Sequence, residues 1–563
     1  MKKIALGLIV LSAFVLLLFV AVHAVNGPQW DHVNSAEIFY RWDEGRFTLE
    51  YLFRQHNEHR KAAPRLVILA LGQITHWRNP PEMYTHWALM CVTALVAYRA
   101  FRRELTDRAQ AIVLFVPMML LLVSPRSYDA LLGDGFPHYL SILFLVAALV
   151  ILNFGRPTWP ALAGAIACGL VTSFSISNGL LVWPFGLALL LAQVRERTPP
   201  PSLWPRAAVW TVVGALTFAF YFHGYVDPGN HTSPRIFITA PVRGVGHFLA
   251  LNGSVLAPIA EDAIVFGAVM VTLSVGLMLV VAVDWWRNRE RPPFGVWFVA
   301  IVLLSALMIS SNRAGFGVRQ AVESRYTAML ALGPIGLYSA LVARTRRWRL
   351  AAPIGLSVAT LMTLGYLLAS ADAWRTASSY TSQRRWMAYM MYSAKYQPSS
   401  LLEKLYPNAD HARVYSAEME RMRYNVFADP HVLAGQLVPS PQGLEYKVET
   451  VNDQPAGPDT VIAIDKDGAI DVVGYAFNDH RDGPARAVFL TIDGTRDLPA
   501  ASGLFRSTLG GSIRDRGRRW SVFRGSFGGF VLTPGEHTLT LKIVHDDGLR
   551  AYQTPIVARI ERR

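Results

Sequence analysis

From residue 4 to residue 370 the chain alternates long apolar runs with short polar ones, and the runs carry too few polar positions for a helix with one face in water. The first run, IALGLIVLSAFVLLLFVAVHA, comes after MetLysLys and ends in ValHisAla, which resembles a signal-cleavage site. Its apolar core of about 20 residues exceeds the 7 to 15 of a secretory signal, so a retained helix is expected, and either reading exports the segment from residue 25 onward. Further runs near 83–100, 110–125, 137–154, 160–175, 179–193, 207–223, 262–284, 295–311, 327–343 and 352–370 raise the predicted number of spans to about eleven. RLVILALGQITHW, 65–77, is too short to cross and is predicted to lie at the outer interface, which makes 25–82 one external loop.

The polar breaks order these spans. RAFRRELTDR (99–108), VRERTPPPSLWPR (194–206), WWRNRERPP (285–293) and ARTRRWR (343–349) are short, basic and on alternate breaks, as cytoplasmic loops are. The N-terminus is then cytoplasmic and the C-terminus outside, in an inner (cytoplasmic) membrane.

Beyond Ala371 the pattern changes. Residues 372–440 read as an extracytoplasmic helical linker, and 441–563 carry short alternating runs such as AIDVVGYAF and HTLTLKIVHDDG between Gly, Pro and Asp turns. The expected fold is a polytopic α-helical membrane domain, 1–371, with a C-terminal extracytoplasmic β-sandwich.

Composition agrees: 52% of residues are hydrophobic and 17% charged. Residues 441–563 contain 16 Lys and Arg against 16 Asp and Glu, so the net charge of +14 belongs entirely to residues 1–440. It is a signal of membrane topology and lipid headgroups rather than of nucleic acid. Cys91 and Cys168 both lie inside predicted spans and build no disulfide framework. No GxGxxG, Walker loop, GxSxG or internal repeat is present, which removes the common soluble nucleotide-dependent chemistries.

A coupled transporter keeps ionisable groups at mid-membrane. Here His86, His138, Glu261, Asp262 and Asp284 all fall at span ends. The candidate chemistry sits instead in three external loops: 25–82, SPRSYDALLGDGFPH (124–138) and SNRAGFGVRQAVESRYT (311–327). Carboxylates dominate the first two, whereas the third holds Arg313, Arg319 and Arg325. That division suits a base on one side and an anionic leaving group on the other.

An N-terminal span joined at once to a long external loop with an early acid, an interfacial helix, a many-span bundle and a C-terminal β-domain together resemble the GT-C superfamily of polyprenyl-phosphate-sugar-dependent glycosyltransferases. QHNEHR (55–60), SNGLLVWP (177–184) and ESRYT (323–327) are similar to motifs of a bacterial branch of that superfamily. The resemblance implies a membrane hexosyl- or pentosyltransferase with a polyprenyl-phosphate-sugar donor, a glycan, lipid or exported-protein acceptor, and a monomer embedded in membrane lipid. It implies no obligatory cofactor, with Asp129 and Asp134 as the place for a divalent cation; Asp134 before Gly135 reads equally as turn chemistry. The alternative is a lipid-linked glycan polymerase or transporter, or a non-catalytic envelope protein.

The resemblance maps the catalytic base onto Asp31. A lipid phosphate is a good leaving group, so one carboxylate that deprotonates an acceptor hydroxyl suffices, where glycosidases need two. Against this, Asp31 reads as a cap for a helix beginning near Ser35. Glu58 is the rival base: on a helix, Gln55, Glu58 and His59 would share a face, with His56 and Arg60 on the next. The competing reading is a self-paired polar patch. His56 and His59 lack HExxH spacing and an evident third metal ligand. Candidate substrate and phosphate contacts are His56, Asn57, His59, Arg60, Asp129, His138, Arg313, Arg319, Arg325 and Tyr326. Arg325 is placed to grip a phosphate bidentately, or else to snorkel to headgroups. The sandwich reads either as an acceptor-binding module, using surface aromatics such as Trp520 and Tyr475, or as a structural cap over the active cavity.

Overall fold

The computed structural model describes residues 1–105, 107–195, 203–229, 235–345, 347–441, 444–478, 483–509 and 518–563. The chain forms two compact units: Met1–Val22, Phe47–Ile68 and Glu82–Arg375 make the first, and His23–Arg46, Leu69–Pro81 and Thr376–Arg563 the second. Residues 23–46 and 69–81 thus pack with the C-terminal part of the chain rather than with the bundle.

Seven helices among the described residues are long and apolar enough to cross a membrane: Lys2–His23, Phe136–Phe154, Leu203–Phe222, Ala260–Asn288, Gly295–Phe316, Ser324–Ala343 and Ala351–Tyr392. This is a multi-pass membrane protein. The other predicted spans are helical but fall short of that standard. Asn79–Glu104 is long, yet Glu82, His86, Arg99, Arg102 and Arg103 dilute its apolar character. The 110–125 run breaks at Phe115 into Ala111–Leu114 and Val116–Leu122, with Pro117 opening the second piece. Trp159–Ser173 and Ser177–Ala192 are apolar but short.

The bundle is apolar on its outside. Ile4, Phe14, Val265 and Leu279 are exposed, as residues facing lipid should be. Polar groups gather instead at the two ends of the helix Asn79–Glu104. At one end the fully buried His86 places Nδ1 3.1 Å from the Leu131 carbonyl. At the other, Glu104 accepts a hydrogen bond from the Phe294 N–H at 2.6 Å, beside the Arg344–Glu290 ion pair at 2.9 Å and Arg291, which donates to Asn153 Oδ1 at 3.0 Å. Residues 99–108, 285–293 and 343–349, three of the four basic loops, therefore meet at one end of the bundle, and the loop 124–138 lies at the other.

The helix Ala351–Tyr392 does not stop at Ala371, where the composition changes, but runs for 42 residues. At 1.5 Å per residue that is about 63 Å, twice the thickness of a hydrocarbon core.

In the second unit, twelve strands among the described residues form the β-domain, antiparallel except for Val438–Pro439 on Arg550–Gln553 and Val461–Ile464 on Ala558–Arg562. The strand Arg496–Leu504 joins the two layers: its start pairs with Ala487–Ile492, and after an irregularity between Ala501 and Leu504 its end pairs with Val522–Gly528. Both layers turn alternate residues inward, so Val472, Phe523 and Phe527 of one share a core with Leu490, Leu541 and Ile560 of the other. This is the expected β-sandwich.

The same unit holds a buried polar knot. Asn79 Oδ1 accepts from the Gly27 N–H at 2.9 Å and from Asn425 Nδ2 at 3.2 Å, and the Asn79 N–H donates to Asn26 Oδ1 at 3.1 Å. Asn425 also binds the carbonyls of His76 and Trp77, both at 2.8 Å, and holds these two residues in a left-handed turn with φ of 51° each. Asn79 and Asn425 are completely buried, and each amide is used in several directions.

Candidate active site

The stretch 54–61 is not helical, which corrects the shared-face reading of Gln55, Glu58 and His59. Residues 56–59 form a tight turn in which His56 and His59 exchange backbone hydrogen bonds of 2.7 and 2.9 Å, with Asn57 at φ 48°. Asparagine tolerates that conformation better than most residues. Before the turn, the helix Leu49–Phe53 is capped by the Thr48 hydroxyl, which accepts from the Tyr51 N–H. At its other end the buried Arg65 donates to the carbonyls of Tyr51, Leu52 and Arg54 at 2.7–2.9 Å.

Two of the polar side chains fasten the turn to the end of the helix Leu203–Phe222. Arg60 donates to the carbonyls of Tyr221 (2.7 Å), Phe53 (2.8 Å) and His223 (2.6 Å), while the Tyr221 hydroxyl donates to the Glu58 carbonyl at 3.1 Å. Gln55 accepts from the Val226 N–H at 3.0 Å and donates to the Val226 carbonyl at 2.6 Å. Arg60, a candidate phosphate ligand in sequence, has a structural use here.

The remaining groups of the turn knit three loops together. Glu58 Oε1 accepts from Arg313 at 2.9 Å, joining the first loop to the third. Lys61 pairs with Asp134 at 2.9 Å, joining the first to the second. Arg126, buried in the second loop, donates to the Val322 carbonyl at 2.6 Å and pairs with Asp372 at 3.3 Å, and the Asp129 N–H donates to Ser324 Oγ at 3.0 Å. His59 Nδ1 accepts from the Ser177 N–H at 3.2 Å. QHNEHR, SNGLLVWP and ESRYT, remote in sequence, therefore lie in one interlocked cluster.

Glycines shape the cluster at two points. A Cβ at Gly135 would lie 2.4 Å from the Ala130 carbonyl oxygen and 2.7 Å from His86 Nδ1, so only glycine lets the second loop close on that histidine. Gly317, at φ 98°, reverses the third loop between Arg313 and Arg319.

Burial pushes the Glu58 carboxyl upward, but His59, the glutamate's own backbone N–H and the Arg313 guanidinium outweigh it and hold the group down at about 2. Burial likewise lowers His59, to about 3, against the pull of Glu58 and assisted by Lys61, His56 and His138. His59 is therefore neutral near pH 7, and there the glutamate's own backbone N–H and the Arg313 guanidinium remain to favour the Glu58 carboxylate. The Ser177 N–H fixes the His59 tautomer: Nδ1 carries the lone pair, and Nε2–H points toward Glu58 at 3.7 Å.

Both groups bind protons more readily unfolded than folded, so both make the protein less stable in acid. The His59 contribution fades as pH falls from 6.5 toward 3, and the Glu58 contribution as pH falls from 4.5 toward 2. The His59 shift amounts to about 2 kcal/mol at pH 5. Thermal unfolding in detergent is expected to show this loss between pH 7 and 5, and His59→Gln to flatten it.

Arg325 pairs with Glu323 and lies over the Tyr326 ring at 5.2 Å. Burial raises the Glu323 carboxyl and Asp129 adds to the rise, against the lowering by Arg325 and Arg313. Arg319 and Asn57 are exposed on their loops, and His138 lies half-buried at the start of Phe136–Phe154. Asp31 belongs to the second unit, where it is exposed on the first turn of the 3-10 helix Trp30–Ser35; the next α-helix begins at Ala36. No group of three or more His, Cys, Asp or Glu side chains is arranged to hold a metal among the described residues.

Lys61, Arg126 and Glu323 escaped the sequence reading. Lys61 directly follows QHNEHR, Glu323 opens ESRYT, and Arg126 precedes Asp129 by three residues. A cation three residues from a candidate carboxylate was the available signal.

No protein-family model and no curated protein matches the sequence. Among solved structures the chain is similar to the oligosaccharyltransferase of Archaeoglobus fulgidus, crystallised tethered with an acceptor peptide containing the NVT sequon. The identity is 13% and the TM-score 0.42, and the match covers 82% of this chain and 62% of that one. The chain thus spans less than two thirds of that protein's length.

Proposed function

We propose that this protein is a membrane glycosyltransferase that moves a sugar from a polyprenyl-phosphate donor to a hydroxyl acceptor on the extracytoplasmic side of the inner membrane. The carrying observation is the Glu58–Arg313 pair, with side chains 22% and 21% exposed, at the meeting point of three polar loops. A carboxylate beside a guanidinium, with Arg325 and Tyr326 in the first turn of the helix that follows, supplies both a base and an anion grip. The resemblance of the three converging motifs to the GT-C superfamily supports the same reading.

In the proposed reaction the donor phosphate takes the Arg313 guanidinium, with Arg325 as the second cation. Glu58 then shares one of the partners that lower its pKa with an anion and becomes a stronger base. It accepts the proton of the acceptor hydroxyl as that oxygen attacks the anomeric carbon. The bond from that carbon to the phosphate oxygen breaks, and its electron pair leaves with polyprenyl phosphate. One displacement inverts the anomeric centre. Asp31 is the second carboxylate to test, as base or as acceptor contact. The scheme requires no divalent cation, and Asp134 is already matched by Lys61.

The test is mass spectrometry of lipid extracts and surface glycans from a deletion strain. The polyprenyl-phosphate sugar is expected to accumulate and one glycan or exported-protein modification to disappear, with wild-type chain restoring both. If neither changes, the transferase reading fails. In purified protein Arg313→Ala is expected to raise KM for the donor about ten- to a hundredfold, the worth of a hydrogen bond to a charged group. An unchanged KM removes Arg313 from the donor site.

A further inference from the structure

The second unit contains a cleft of about 470 Å³, within the range of small-molecule sites. The end of Ala351–Tyr392 supplies Tyr392, the turn Ala394–Tyr396 supplies Lys395 and Tyr396, and the sandwich supplies Phe489 and Arg486, with Asp429 at the rim. The aromatics chosen from sequence do not line it: Trp520 is covered by Arg385 at 4.8 Å and Phe505 at 5.0 Å, and Tyr475 lies elsewhere in its strand.

The walls combine ring surface with ordered polar groups. Tyr392 is braced by the His431 ring at 4.2 Å and by Phe427 at 5.4 Å, and Tyr396 packs against the sandwich core. Lys395 is held by Glu420 at 2.8 Å, and Asp429 by Arg78 at 3.0 Å and Asn26 at 2.6 Å. Charge is thereby largely balanced, which disfavours a strongly ionic ligand. Arg486 is exposed in the cleft wall. Apolar ring faces flanked by fixed donors and acceptors complement a sugar, which presents C–H faces and a rim of hydroxyls.

We propose that this cleft binds an oligosaccharide, seated on Tyr392 and Tyr396 and hydrogen-bonded by Arg486, Lys395 and Asp429. The proposal rests on the cleft alone and stands apart from the reaction proposed for the bundle. A peptide is the competing occupant.

The test is biolayer interferometry with the full-length protein in nanodiscs, against immobilised oligosaccharides of hexose and N-acetylhexosamine units and against a random peptide library. At least one glycan class is expected to bind. Tyr396→Ala and Arg486→Ala are each expected to weaken it about tenfold, and Tyr475→Ala to leave it unchanged. Arg486 is exposed, so its removal leaves the fold intact. Absence of glycan binding, binding indifferent to Arg486→Ala, or binding of peptides alone overturns the proposal. Glu58→Gln separates the two sites: it is expected to keep glycan binding, while Arg486→Ala is expected to keep consumption of donor lipid.

Discussion

Glu58→Gln is expected to reduce glycosyl transfer about a hundred- to ten-thousandfold, the range lost when a positioned general base is removed. Glutamine retains the shape of the side chain and can still accept from Arg313 at 2.9 Å, so the three-loop cluster stays closed. The fall should therefore appear in kcat, with KM for the donor little changed. This differs from Arg313→Ala, which acts on the donor's KM. Release of polyprenyl phosphate from a labelled donor measures both constants. A Glu58→Gln enzyme with wild-type kcat would return the role of base to Asp31, and Asp31→Asn under the same assay would decide that.

Asn79→Ala is expected to be the most damaging single change outside the bundle. It removes an acceptor used by both the Gly27 N–H and Asn425 Nδ2, at a position with no solvent to replace it. Leaving two buried donors unsatisfied costs about 3 kcal/mol. The turn at His76 and Trp77, held left-handed through Asn425, should loosen with it. Thermal unfolding combined with limited proteolysis gives the readout, with cleavage expected first around residues 76–79. A variant as stable as wild type would mean that the knot does not hold the turn.

Much of the fold was legible because a bilayer imposes long apolar runs and a sandwich imposes alternation of period two. The helix Phe136–Phe154 and the strand Gly535–Val544 arise directly from those patterns. The 110–125 break at Phe115 and the merging of span and linker in Ala351–Tyr392 were harder: a proline in a first helical turn leaves hydropathy unchanged, and the shift to polar residues after Ala371 does not end the helix. The chemistry of residues 53–61 was legible as a cluster, but its division of labour was not. Arg60 read like a phosphate ligand, yet it and Gln55 bind backbone carbonyls more than 160 residues away, a pairing no local pattern announces. Glu58 became the central carboxylate only through its contact with Arg313, 255 residues later.

That separation has a consequence for biogenesis. At a synthesis rate of about 5–20 residues per second, Glu58 exists for roughly 13 to 50 s before its guanidinium partner leaves the ribosome. Asp372, the partner of Arg126, arrives later still. The cluster can close only after the intervening helices have been inserted, so its assembly reports that insertion is complete. A chain arrested before residue 313 carries a polar turn whose central carboxylate lacks that partner.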